Sequence, residues 1–262
     1  MFRRLRVQAA CVLFAWMLSS IFSAAAELQD RTKSAYDTYR ANAEAQFLSR
    51  QHAPGNPPLE GVTVRPANKD GIISIAGGLI HHWSGASFIR DVNLQTVIDM
   101  SRNYDAYTSI YKEIVASRVL ESDGDKYQVL MRLKESGGGV TAVVDVRATV
   151  RYVVPEKGRV FTFLSSDEIR QVQAAGTPDE VLLPAGRDSG YLWRFDVFTA
   201  FVETPDGVYV ETETLGLSRT IPAMLSWFVK PIARRLGRKS VTRSLEEFQA
   251  ATGATTSAAS VR

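Results

Sequence analysis

The sequence predicts an α+β fold, a curved antiparallel sheet wrapped around a long C-terminal helix. Three features predict it. Residues 191–198 and 208–215 are adjacent strand-like runs, with Trp193, Phe195, Tyr209 and Leu215 in alternating positions. Residues 221–252 follow with apolar side chains at helical steps: Leu225, Phe228, Ile232, Leu236, then Val241, Leu245 and Phe248. Upstream, further strand-like runs succeed one another through turns too short for a parallel crossover, so their pairing is antiparallel. An amphipathic helix closing such a sheet often encloses an apolar cavity, which points to ligand binding and to no particular reaction.

In chain order, residues 1–26 read as a signal peptide. Arg3, Arg4 and Arg6 precede an apolar run from Val12 to Phe22, and Ala24, Ala25 and Ala26 suit cleavage after Ala26. The whole chain of 262 residues has 31 basic and 28 acidic side chains; the leader takes three arginines, leaving a formally neutral mature chain. Basicity is therefore no argument for nucleic acid. The single cysteine, Cys11, lies in the leader, so no disulfide or thiol chemistry is expected afterwards. A periplasmic or secreted bacterial location follows from this reading.

Residues 27–50 lack Gly and Pro and carry a narrow apolar stripe through Tyr36, Tyr39, Ala43 and Phe47, which predicts an N-terminal helix docked on the domain or on a partner. Residues 51–77 hold Pro54, Pro57, Pro58 and Pro66 and read as a linker. The main domain is expected over 78–252. It begins with a strand at 79–89 and a helix through Leu94, Val97 and Ile98, capped by Asp91 or Asn93. Strands are then expected at 114–120, 126–133, 141–154, 159–166, 190–202 and 208–217. Turn chemistry such as Ser122-Asp123-Gly124-Asp125 and Thr204-Pro205-Asp206-Gly207 joins them. Residues 171–188 are left as an insertion, loop or lid. Pro231 should break the closing helix near Val229, and residues 253–262 read as a disordered tail.

Alternation assigns faces. Ala142, Val144, Val146, Ala148, Val150 and Tyr152 share one side of a strand, opposite Asp145, Arg147 and Arg151. Tyr191, Trp193, Phe195 and Val197 similarly oppose Arg194, Asp196 and Phe198. The expectation is one aromatic inner face and one wet, charged outer face.

The order of elements resembles the START-like superfamily, also called SRPBCC or polyketide cyclase/dehydrase-like proteins. The wording that carries this is Gly190-Tyr191-Leu192-Trp193-Arg194, Val208-Tyr209-Val210-Glu211, Leu217-Ser218-Arg219, Ile221-Pro222 and Ser244-Leu245. The resemblance covers residues 78–252 and implies a helix-grip fold with a cavity for lipids, sterols, polyketides or similar apolar molecules. It implies no reaction, because the superfamily mixes carriers and enzymes.

Tyr152, Tyr191, Trp193, Phe195, Tyr209 and Phe228 are the expected ligand-contacting residues. His81 and His82 point to opposite faces of one strand and cannot readily share a metal, so neither metal nor cofactor is expected. Either histidine could serve as a polar anchor or acid/base group. Glu211 and Glu213 share a face with Tyr209 and Leu215, and partial burial would suit them to acid/base work; arginine pairing is the plainer expectation. The basic residues Lys230, Arg234, Arg235 and Arg238 form a solvated helix face or a contact for anionic lipid. An exported carrier of an apolar small molecule or lipid is the favoured reading. Its rivals are a cyclase-, dehydratase- or hydrolase-type enzyme and an envelope interaction protein docking through the N-terminal helix.

Overall fold

The computed structural model describes residues 26–50, 61–137 and 140–259. The expected leader lies outside this set except for Ala26, as does the first part of the expected linker. Short strand β1 (Ala26–Glu27) leads into helix α1 (Asp30–Ser49), followed by β2 (Val62–Pro66), β3 (Ile72–Ile75) and β4 (Gly78–Arg90). Helix α2 (Leu94–Arg102), a 3₁₀ turn at Tyr104–Ala106 and the single turn α3 (Tyr107–Ile110) come next. Strands β5 (Ile114–Asp123), β6 (Lys126–Gly137), β7 (Val140–Glu156) and β8 (Arg159–Gln173) then run hairpin to hairpin. Short β9 (Val181–Leu182) and β10 (Arg187–Asp188) occupy the expected insertion. The chain closes with β11 (Arg194–Thr204), β12 (Gly207–Arg219) and helix α4 (Ala223–Ala259).

The main sheet has the order β2-β4-β12-β11-β8-β7-β6-β5, with β3 beside the first half of β4 and β9 beside β8. Every recorded pairing is antiparallel, and β4 lies next to β12, the last strand. Asn93 caps α2, its side chain accepting from the Thr96 N–H at 2.8 Å. At the β11–β12 turn Gly207 has φ 145, and a Cβ there would lie 2.1 Å from the Ile89 carbonyl oxygen of β4. Only glycine fits that approach.

Two apolar clusters lie on opposite faces of the sheet. On one face α4 places Val241, Leu245 and Phe248 against β4, β11 and the buried residues Val129, Val146, Val150 and Phe201. Gly85 makes the approach possible, since a Cβ there would sit 2.7 Å from both Val241 and Leu245. Gly237 of α4 in turn rests on Trp83, leaving only 2.5 Å between a would-be Cβ and the indole nitrogen. On the other face α1 buries Tyr36, Ala43 and Phe47 against Ile80, Phe161, Phe163, Phe198, Leu215 and Leu217.

Four expectations change here. The second face is not wet throughout: under α1 it is apolar, and only its β6–β7 part keeps the expected charged pairs, such as Arg132 with Asp145 at 2.6 Å. Asp196, assigned to a wet face, is 2 % exposed beneath α1. Part of the expected linker is strand, because Val62–Pro66 and Ile72–Ile75 pair with β4 and supply edge hydrogen bonds that proline alternation concealed. Helix α4 runs unbroken through Pro231 and continues through residues 253–259 of the expected tail. Proline removes one backbone donor and crowds the preceding turn, and the packing of α4 on the sheet carries the helix through it.

Candidate functional site

Beneath α4 the sheet is lined by the expected Tyr152 and Phe195 together with Leu164 and Leu192. Tyrosines gather at the α2–α3 end. Rings of Tyr111, Tyr107, Tyr104, Tyr127 and Tyr152 follow one another at centroid distances of 5.0, 4.9, 5.4 and 5.7 Å. Their hydroxyls converge on one serine: Tyr107 donates to the Ser101 carbonyl at 2.7 Å and Tyr152 to the same oxygen at 2.9 Å. The Tyr104 and Tyr152 hydroxyls are 2.8 Å apart. Burial pushes the phenols of Tyr104, Tyr107 and Tyr111 upward, so all stay protonated.

Tyr107, Tyr111, Leu164, Leu192 and Phe195 are only partly buried although they pack against the core beneath α4. His81 faces the same side of β4, with Nε2 2.8 Å from the Ser218 hydroxyl, and burial lowers its pKa to about 4. It is therefore neutral at pH 7.

The other weak catalytic candidates lie on the opposite face, under α1. His82 Nε2 is 2.7 Å from Glu213 Oε1, and its Nδ1 is 2.8 Å from the Tyr39 hydroxyl. Arg50 holds the second Glu213 oxygen and reaches Glu211 at 3.2 Å. Burial alone would raise the Glu213 pKa, but His82 and Arg50 outweigh it and bring it below the usual range. With Glu213 ionised, His82 donates to it from Nε2. The arrangement pins α1 to the sheet. Nearby, Tyr36 donates to Asp196 at 2.6 Å, and the Ser165 hydroxyl donates to the other carboxylate oxygen.

Arginine pairing of the glutamates was the plainer expectation. A donor is Arg50, just beyond α1. Sequence reasoning missed Tyr39 and Arg50 as site residues because contacts across 43 positions to His82, and across 161 and 163 to Glu211 and Glu213, leave no local spacing. The helical stripe that contains Tyr39 was the available signal.

The expected ligand-contacting set is divided. Tyr152 and Phe195 face α4, whereas Trp193 joins the cluster under α1 and donates its indole N–H to Asp188 at 3.0 Å. Trp193 precedes β11, so the alternation that governs the strand does not reach it. Tyr209 shares the α1 side of β12 with Glu211, which helps burial to raise its pKa. Tyr191 is partly buried before β11, near Arg219. The side chain of Phe228 lies outside the described set. Of the basic residues on α4, Arg234 is tied to Asp70 at 3.0 Å and Arg243 to Glu113 and Glu135. Among the described residues no cluster of His, Cys, Asp and Glu suits a metal ion, and no helix is long and apolar enough to cross a membrane.

A long C-terminal helix gripped by an antiparallel sheet whose first long strand neighbours its last defines the class: the chain has a helix-grip fold. Similar solved structures include a STAR-related lipid transfer protein from Xanthomonas axonopodis, 14% identical, covering 74% of this chain and 99% of that one at a TM-score of 0.49. A START superfamily protein from Mycobacterium smegmatis is 12% identical, covering 67% and 97%, at 0.40. The Zhui aromatase/cyclase from Streptomyces sp. R1128 is 10% identical, covering 68% and 91%, at 0.37. No family model and no curated protein sequence matches the chain.

Proposed function

We propose that the protein binds an apolar small molecule or lipid between the sheet and α4, in the periplasm or outside the cell after cleavage near Ala26. One observation carries this reading: Tyr107, Tyr111, Leu164, Leu192 and Phe195 pack against the core on the face that α4 covers and stay only partly buried. Apolar surface held open in an interior is unfavourable by about 25 cal/mol per Å² and is stabilised when a ligand covers it. A carrier fits better than an enzyme using Glu211 or Glu213. Both carboxylates lie on the α1 side and are engaged by Arg50, away from the interior.

Filling the space tests the proposal. Leu164→Trp should abolish binding of an apolar fluorescent probe while leaving the circular dichroism spectrum intact. Unchanged probe affinity in a folded Leu164→Trp variant would count against the interior as the binding place.

A membrane contact completes the reading. From Ala223 to Leu245 helix α4 contains no acid, and Arg235, Arg238 and Lys239 are exposed along it. Each basic residue gains about 1 kcal/mol near an anionic surface. Vesicles containing anionic lipid should therefore retain the protein, and Arg235→Glu with Arg238→Glu should release it. Equal retention by neutral vesicles would remove the electrostatic contact.

A further inference from the structure

Gly85 and Gly216 both face α4 from the sheet, and the helix treats them differently. At Gly85 a Cβ would lie 2.7 Å from both Val241 and Leu245, so helix side chains occupy the space that this glycine leaves. At Gly216 of β12 the nearest described atoms to such a Cβ are Leu192 Cδ1 at 3.4 Å and His81 Cβ at 4.0 Å. The register sets Gly216 opposite His81 on β4 and opposite Phe195 on β11. Paired residues point to the same face. His81, Gly216 and Phe195 therefore form one row under α4 with its middle position bare. The outer two strands are about 9–10 Å apart, and a flat ring held between side chains at carbon contact distance needs about 7–8 Å.

The course of α4 places its looser half over this row. Gly237 meets Trp83, Val241 and Leu245 meet Gly85, and Gln249 donates to the Phe88 carbonyl at 2.8 Å. The helix thus advances along β4 in chain direction, and the turn before Gly237 lies above His81. Val241, Leu245 and Phe248 are buried, whereas Ile232, Ala233 and Leu236 stay partly buried, as do His81, Leu192 and Phe195 beneath them. The row also lacks charge. His81 is neutral at pH 7 with Nε2 2.8 Å from the Ser218 hydroxyl, and the neighbouring α4-facing positions on β12 are Thr214 and Ser218. A charged group at Gly216 would find no ionic partner in the row.

We propose that the bare position at Gly216 seats an aromatic ring of the ligand between His81 and Phe195, so that the interior selects an uncharged planar molecule over a flexible chain. This rests on the interior beneath α4 being the binding place, and it adds the chemical class. Two ring walls favour a third ring, because aromatic pairs gain more than the area they bury.

The probes 2-naphthol and 1-octanol each carry one hydroxyl on an apolar body, planar in the first and flexible in the second. Isothermal titration calorimetry with the full chain at pH 7 should show 2-naphthol binding at least about tenfold more tightly. Gly216→Ala places its methyl group at ordinary contact distance from Leu192 and suits a strand better than glycine, so the thermal midpoint should hold or rise. The variant should weaken 2-naphthol at least about fivefold and change 1-octanol by less than about twofold. Unchanged 2-naphthol affinity in folded Gly216→Ala, an equal loss for both probes, or a wild-type preference for 1-octanol overturns the ring seat and leaves the carrier reading in place. Failure of the wild-type protein to bind either probe overturns both. The wild-type ratio of the two affinities needs no variant, so it decides the planar selectivity even if Gly216→Ala misfolds.

Discussion

His81 and His82 adjoin in sequence and live in different chemistries because a strand turns consecutive side chains to opposite faces. His81 is neutral and half-buried, with a pKa lowered to about 4 against an ordinary value of 6.5. Its depressed folded value gives stability that is complete above about pH 6.5, because there neither state is protonated. As pH falls from 6.5 towards 4 the unfolded chain takes up the proton first, and stability declines by at most about 3 kcal/mol. Chemical denaturation across that window should show the decline, and His81→Gln should flatten this part of the profile. On the other face, Glu213 has a carboxyl below its ordinary 4.5, so its contribution exists above pH 4.5 and is lost as acid titrates the folded form. Glu213→Gln should lower stability by about 1–3 kcal/mol at pH 7 and by progressively less below pH 4.5. The opposite facing of the two histidines was legible from strand period alone. Which face each would meet was not, because that depends on where α1 docks.

Helix α1 shows the same limit one level up. Its buried positions, Thr32, Tyr36, Ala43 and Phe47, follow a stripe visible in the sequence. Its destination could not be read, since Phe198, Leu215 and Leu217 alternate with residues that face α4 and every strand seemed to have one apolar side to spare. With Phe47 set edge-on against Phe161 at 6.0 Å and Phe163 at 6.1 Å, α1 is part of the core. Phe47→Ala should cost about 3–5 kcal/mol in urea unfolding. Removal of residues 27–70 should likewise unfold the domain. Helix α4 depends on a different contact, the close seat of Gly237 on Trp83. Gly237→Ala would add helix propensity yet place a methyl group 2.5 Å from the indole. A fall in thermal midpoint is expected; a rise would show that α4 is held elsewhere.

Across the whole molecule, the succession of strands, their antiparallel pairing and the closing helix were legible because short turns and period-two alternation are local signals. Proline content hid β2 and β3, and the continuity of α4 through Pro231 was hidden by the same residue type. The sorting of side chains between two cores was out of reach, because a second cover, α1, lies more than 100 residues from most of the strands it buries. The tyrosines of the α2–α3 end were only partly foreseen: Tyr152 came from alternation, while Tyr107 and Tyr111 were not among the expected ligand-contacting residues. Their partial burial against the core beneath α4 is the basis for a carrier. Native mass spectrometry of the protein purified from its host tests that claim most directly. The account predicts a complex heavier than the chain that releases an uncharged apolar molecule on denaturation. A population with the mass of the chain alone, unchanged when apolar alcohols are added, would contradict it.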